Sequence, residues 1–197
     1  MDEHTIDSQH PCLYWQEPYN TSVHLNFLVD TALGNVGGYD FTSAISHAFS
    51  VWNGAPAWNP YMAWNSGQFP NGYYWLGQAS YFACNELGFT NYTITGGLEN
   101  AYNPQRGGTE YYEFIKRTDT YFDPSTHWNN SGYSTDDCRG GIKNGDGTIV
   151  ATHESGHVQG MGESGTANAV MGAGSLSLQQ DDKDGIAAIY PGNQEHT

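Results

Sequence analysis

Residues 153–163 read His153-Glu154-Ser155-Gly156-His157-Val158-Gln159-Gly160-Met161-Gly162-Glu163. Side chains four apart on a helix share a face, so both imidazoles can reach one metal ion. Glu154 lies between them in sequence and beside that metal, where it can take a proton from a bound water. Gly160 lets the chain leave the helix through a backbone conformation that bulky residues avoid. Such a turn can return Glu163 to the same metal. A bare H-E-x-x-H arises by chance in unrelated proteins. With the glycine and a third ligand candidate at a fitting offset, it specifies one catalytic zinc held by His153, His157 and Glu163.

The pattern around this stretch predicts the elements that carry it. A helix is expected over about 148–160, opened by Asp146 or Thr148 and carrying Ile149 and Val150 with the two histidines. A last helix is expected over about 178–190, with Ser177 and Gln180 as a capping box and Ile186, Ala187, Ile189 and Tyr190 on its apolar face. The acidic run Asp181-Asp182-Lys183-Asp184 falls in its first turn, where negative charge suits the helix dipole. Upstream, Val23, Leu25, Phe27 and Val29 alternate along 21–29, the pattern of a half-buried strand. Phe41, Ala44, Ile45, Ala48, Phe49 and Trp52 then recur at helical spacing over 40–53, with Asp40 or Thr42 as cap and Asn53-Gly54 as stop. Residues 89–102 and 110–122 read as strands around a turn at Gly107-Gly108, and 123–147 as a long polar loop. Residues 54–80, rich in Gly, Pro, Asn and aromatics, read as an irregular loop pinned by buried rings, or alternatively as an aromatic wall lining a cleft.

Composition narrows the function classes. The 197 residues suffice for one ordinary domain: an N-terminal segment over 1–19 and a single catalytic domain over 20–197. Six Lys and Arg stand against 21 Asp and Glu, a formal charge of −15. Such a chain repels phosphate backbones and anionic lipid, so neither nucleic acid nor a membrane surface is an expected partner. No apolar run approaches the roughly 20 residues of a membrane span. Met1 to Pro18 shows neither a basic n-region nor an apolar h-region, so no signal peptide is visible. Abundant Gly, Asn, Ser and Tyr with few Lys nonetheless lean towards a secreted protein. Cys12, Cys84 and Cys138 suit one disulfide and one free thiol, with a lean to the Cys84–Cys138 pair.

At the zinc motif the chain resembles a metzincin, and within that clan the matrixin catalytic domains. That family's pattern is H-E-x-x-H-x-x-G-x-x-H followed by a methionine-containing turn. Ala169-Val170-Met171 falls eight residues after Glu163, as in a matrixin. Leu178 to Tyr190 resembles the family's last helix, Gly97 to Tyr102 its edge strand, and Asp119 to Trp128 the strand after it. The resemblance implies an α+β metzincin (zincin-like) fold. Its parts are a twisted, mostly parallel sheet with an antiparallel edge strand, an active-site helix, a Met-turn and a C-terminal helix. It implies a zinc-dependent endopeptidase, monomeric, acting on protein or peptide substrates, with Glu154 as general base and Met171 as a floor that binds nothing. The peptide would lie antiparallel to the edge strand, along Gly97, Leu98, Glu99, Asn100 and Ala101.

Three departures from the family stand out. Glu163 replaces its third histidine. Asn100 and Tyr121 stand where it keeps ligands to a structural zinc, so no such ion is expected. Of its acidic calcium cluster only Asp123 survives, which leaves little support for Ca2+. The run Gly172-Ala173-Gly174-Ser175, where matrixins often have an aromatic, implies a roomy, weakly selective S1′ site.

Two other readings compete. Glu163 and the aromatic 54–80 segment suit a catalytically inactive metzincin-fold binding module; retention of Glu154 speaks against it. A thermolysin-like site would need a later glutamate, and only Glu195 follows Glu163.

Overall fold

Leu25 and Phe27, the alternating residues of the first predicted strand, are fully buried in β2 (His24–Val29). The computed structural model describes residues 13–15, 24–55, 61–64, 70–83, 86–94, 99–103, 108–132, 143–172 and 174–190. The remaining strands are β1 (Leu13–Trp15), β3 (Tyr61–Trp64), β4 (Gly72–Leu76), β5 (Gly88–Ile94), β6 (Glu99–Asn103), β7 (Gly108–Phe122), β8 (His127–Asn129) and β9 (Asn144–Asp146). Three α-helices accompany them: α1 (Phe41–Asn53), α2 (Gly147–Val158) and α3 (Gln180–Ile189).

Strands β1, β7, β4, β2 and β3 lie side by side in that order, each pair parallel. Both β5 and β6 run antiparallel to the long β7, β5 along Ile115 to Phe122 and β6 along Gly108 to Tyr112. The architecture is therefore a mixed α/β one, a mostly parallel sheet with an antiparallel edge. Helix α1 buries Phe41, Ala44, Ile45, Ala48, Phe49 and Trp52, the six residues its spacing marks. Their rings pack on Phe27, Tyr74, Phe122 and Trp128, and α1 lies along α2. No helix among the described residues is long and apolar enough to cross a membrane.

Four expectations change. Residues 54–80 contain β3 and the central strand β4 rather than only irregular loop. Met62 and Tyr74 are buried, and Gly72 passes so close to β7 that a Cβ there would lie 2.0 Å from the Thr118 carbonyl oxygen. Partners on both sides of β4 supply what its Gly- and Asn-rich surroundings hide from a local reading. The expected strand over 89–102 divides into β5 and β6, with 95–98 outside the described residues. The expected loop over 123–147 carries the short parallel pair β8–β9. The segment 1–19 contributes β1, whose Trp15 is buried and donates from Nε1 to the Val158 carbonyl at 2.7 Å. Cys12, Cys84 and Cys138 lie outside the described residues, as do His4, His10 and Glu195.

At the end of β7, the Asp123 carboxylate is fully buried and receives Lys143 Nζ at 2.6 Å. The same ammonium donates to the carbonyls of Ala83 and Glu86 at 2.9 and 3.1 Å. Asp123, the one acid matching the calcium cluster of the family the sequence resembles, is thus paired with a cation of the chain itself.

Candidate metal centre

Helix α2 starts where Asp146 accepts the main-chain N–H groups of Thr148 and Ile149, two donors that a helix start leaves without partners. Its far end is held from three directions. Tyr92 of β5 donates to the His157 carbonyl at 2.8 Å, Trp15 to that of Val158, and Tyr190 to that of Gln159 at 2.8 Å. These are carbonyls of the last turn, which lack their i+4 helical partners; that of His157 also accepts the Gly160 N–H at 2.7 Å. The chain then turns through Gly160 at φ +90°, and Met161 N–H returns to the Gly156 carbonyl at 3.0 Å.

The turn delivers Glu163 to the histidines. Its Oε1 lies 3.4 Å from His153 Nε2 and 3.2 Å from His157 Nε2. The two rings are perpendicular, with centroids 4.7 Å apart. His153 Nδ1 donates to the Val170 carbonyl and His157 Nδ1 to the Met161 carbonyl, each at 2.8 Å. Those bonds keep the proton on Nδ1, so in the neutral ring it is Nε2 that offers a lone pair to the common point. Among the described residues this is the one group of three metal-ligating side chains, its ligand atoms all within 4.8 Å of one another. The imidazoles are part-buried and Glu163 is 71 % exposed, so the site opens to solvent on the carboxylate side.

Electrostatics bind the three together. Burial disfavours a charged His153, but the Glu163 carboxylate, with Glu154 nearby, outweighs it and lifts the pKa to about 9. Burial pushes Glu163 up, and the two imidazoles more than reverse this, holding it well below the usual carboxylate range. A proton and a metal ion compete for the same lone pairs. Two neutral imidazoles and one carboxylate are a donor set that suits catalytic zinc.

Met171 is fully buried against the helix that bears the histidines. A Cβ on Gly156 would fall 2.1 Å from Met171 Sδ and 2.5 Å from Trp52 Cζ2, so only glycine lets this turn approach α2. Asp182 ties the turn down. Its buried carboxylate accepts the main-chain N–H groups of Val170, Met171 and Gln179 at 2.9, 3.0 and 2.8 Å. Gln179 and Asp182 form the capping box of α3, two residues beyond the expected Ser177–Gln180 pair. Of the acidic run, Asp184 is exposed while Asp182 is wholly inside. A run of like charges gives no sign of which member turns inward.

Glu154 is 4 % exposed, and its Oε2 accepts Thr90 Oγ1 at 2.8 Å. Strand β5 thus bonds α2 at the base and at a ligand residue, through Thr90 to Glu154 and Tyr92 to the His157 carbonyl. Of the expected substrate-binding residues, Gly97 and Leu98 lie outside the described residues. Glu99, Asn100 and Ala101 sit in β6, opposite Tyr112, Tyr111 and Glu110. Of the small run after the Met-turn, Ala173 is outside the described residues. Gly174 takes φ +98°, and a Cβ there would lie 2.4 Å from Ile149 Cγ2. Smallness at this position serves close packing on α2. His24 packs on the Tyr61 ring, His47 bonds the Leu176 carbonyl and His127 bonds Asn144, all away from the cluster.

Residues 98–191 match the family model of matrixin. The match spans just under half of the chain and contains α2, Glu163, Met171 and α3. This region is matrixin-like, which places it at family level among metallopeptidase-type hydrolases that normally bind zinc. No curated protein matches the chain.

Proposed function

We propose that the protein is a zinc-dependent endopeptidase of metzincin fold whose ligands are His153, His157 and Glu163. The observation that carries this reading is the meeting of two Nε2 atoms and Glu163 Oε1 beside a buried Glu154. Zinc bound there would supply Lewis acidity, polarising the scissile carbonyl and making water a better nucleophile near neutral pH. Glu154 takes the proton of the attacking water and passes it to the leaving amine. Met171 and Gly156 support the helix beneath the histidines, and Asp182 holds that support.

The substrate would add to the sheet as a strand along β5. The Asp123 N–H donates to the Leu87 carbonyl at 3.0 Å, which sets the phase of the β5–β7 ladder. Phe89, Asn91 and Thr93 then turn their main-chain groups to β7, while Gly88, Thr90 and Tyr92 turn theirs to the edge that no strand among the described residues pairs. The same strand reaches Glu154 and His157, so a peptide on this edge runs past the base and the ligands. The acidic, lysine-poor composition and the matrixin-like region support extracellular action on proteins or peptides by a single catalytic domain, taken to be monomeric.

The test is zinc stoichiometry measured alongside cleavage of casein and of a peptide library. One zinc per chain with cleavage, abolished in Glu154→Ala while zinc remains, is expected. A zinc-loaded protein that cleaves nothing points instead to a binding module.

A further inference from the structure

A nearly buried carboxylate depends on protein donors for the hydrogen bonds that water cannot reach to give. Glu154 finds one on β5. Thr90 Oγ1 lies 2.8 Å from Glu154 Oε2 and a longer 3.3 Å from the Glu154 main-chain carbonyl. A threonine hydroxyl has one proton, and the carboxylate is its nearest acceptor. Thr120 Oγ1, 3.0 Å from Thr90 Oγ1 and fully buried on β7, must therefore donate to Thr90. The two hydroxyls form a directed chain, Thr120 to Thr90 to Glu154, in which each bond polarises the next. Thr90 is β-branched, so its donor is stiff about χ1.

Two residues earlier on the same strand, Gly88 attends to the other carboxylate oxygen. A Cβ there would lie 3.2 Å from both Glu154 Cγ and Oε1. Glycine leaves that oxygen room that any side chain would crowd. Gly88 and Thr90 thus treat the two oxygens differently, one kept clear and one held.

We propose that Thr90, backed by Thr120, is the positioning residue of Glu154: it holds Oε2 and leaves Oε1 for the water. The proposal rests on the peptidase reading above. A base must sit within hydrogen-bond reach of the proton it removes, and a misplacement of about 1 Å can cost up to roughly a hundredfold in rate. A glutamate has three rotatable bonds, so without Thr90 the carboxylate has no such constraint.

The experiment uses the zinc-loaded full chain and a fluorogenic peptide that the parent cleaves. Thr90→Val keeps the shape and removes the donor. It should lower kcat by roughly tenfold to a hundredfold, with KM and zinc content unchanged. Thr90→Ser should restore most of the loss, and Thr120→Val should give a smaller fall in kcat. In urea unfolding, the destabilisation from Thr90→Val should shrink once Glu154→Ala is present, a coupling read without any turnover. If Thr90→Val does not fold, the order parent, Thr90→Ser, Thr120→Val in falling kcat carries the same test. A cleaving parent whose Thr90→Val variant keeps its kcat, or a Thr90→Ser variant as slow as Thr90→Val, overturns the proposal alone. A parent that cleaves nothing while the unfolding coupling stands overturns the peptidase reading and Thr90's part in it.

Discussion

Asp182 Oδ2 accepts the Val170 N–H at 2.9 Å, and the carbonyl of that same residue accepts His153 Nδ1 at 2.8 Å. A buried acid in the last helix thereby orients a proposed zinc ligand through one residue of the turn between them. Orienting bonds of this kind set both the tautomer and the direction of a ligating histidine.

Replacing Asp182 by Ala leaves three main-chain N–H groups without their acceptor inside the protein. Each such group costs about 1–3 kcal/mol, so a loss of at least about 3 kcal/mol is expected in urea unfolding. Zinc affinity should fall about 10- to 100-fold in a chelator competition. An Asp182→Ala variant as stable as the parent would show that the Met-turn holds itself.

Gly156→Ala sets two effects against each other. Alanine favours a helix interior over glycine by about 1 kcal/mol. The added Cβ, however, meets Met171 Sδ and the Trp52 ring, and overpacking typically costs about 1–3 kcal/mol. The methionine end can bend away but the indole cannot, so net destabilisation is expected, partly relieved when Met171→Ala is combined with it. Thermal unfolding of the two single variants and the double variant measures this directly.

Glu163→Ala should release zinc to a chelator far faster than the parent does, because two imidazoles alone hold it. Glu163→His should keep the ion, since Nε2 lies about as far from the backbone as a glutamate oxygen. Equal retention by Glu163→Ala and the parent would remove Glu163 from the ligand set.

The Asp123–Lys143 pair makes stability pH-dependent. Burial pushes Asp123 up, but Lys143 and Ser125 overcome this and hold its pKa below the ordinary value. Its unfolded value is about 3.9, so the contribution is fully present above that pH and is lost as pH falls through the lower folded value. Lys143→Met leaves the carboxylate buried and unpaired, which should cost about 3–5 kcal/mol at pH 7. The gap between parent and variant should narrow as pH falls, first as the unpaired Asp123 of the variant protonates and then as that of the parent does. Urea unfolding of both proteins at pH 7 and pH 3 gives the comparison; a gap that stays constant rejects the pair as its source.

Local pattern made a good part of this protein legible. Spacing four apart puts His153 and His157 on one helical face in any fold, and Gly160 marks the turn that follows. The six buried residues of α1 follow from helical periodicity, and the alternation of Leu25 and Phe27 from strand periodicity. The chain order cannot show what packing brings together. Strand β4 exists because β2 and β7 flank it and β3 because it pairs with β2, while their own Gly- and Asn-rich surroundings argue for a loop. Asp182 looks like its acidic neighbours until the Met-turn folds over it. Trp15, Tyr92 and Tyr190 come from three distant segments to close one helix end. Thr90 meets Glu154 across 64 residues of chain. Periodicity is a property of neighbouring residues and survives in the sequence. Hydrogen bonds and close approaches between distant segments are properties of the packed chain, and only the tertiary structure decided them.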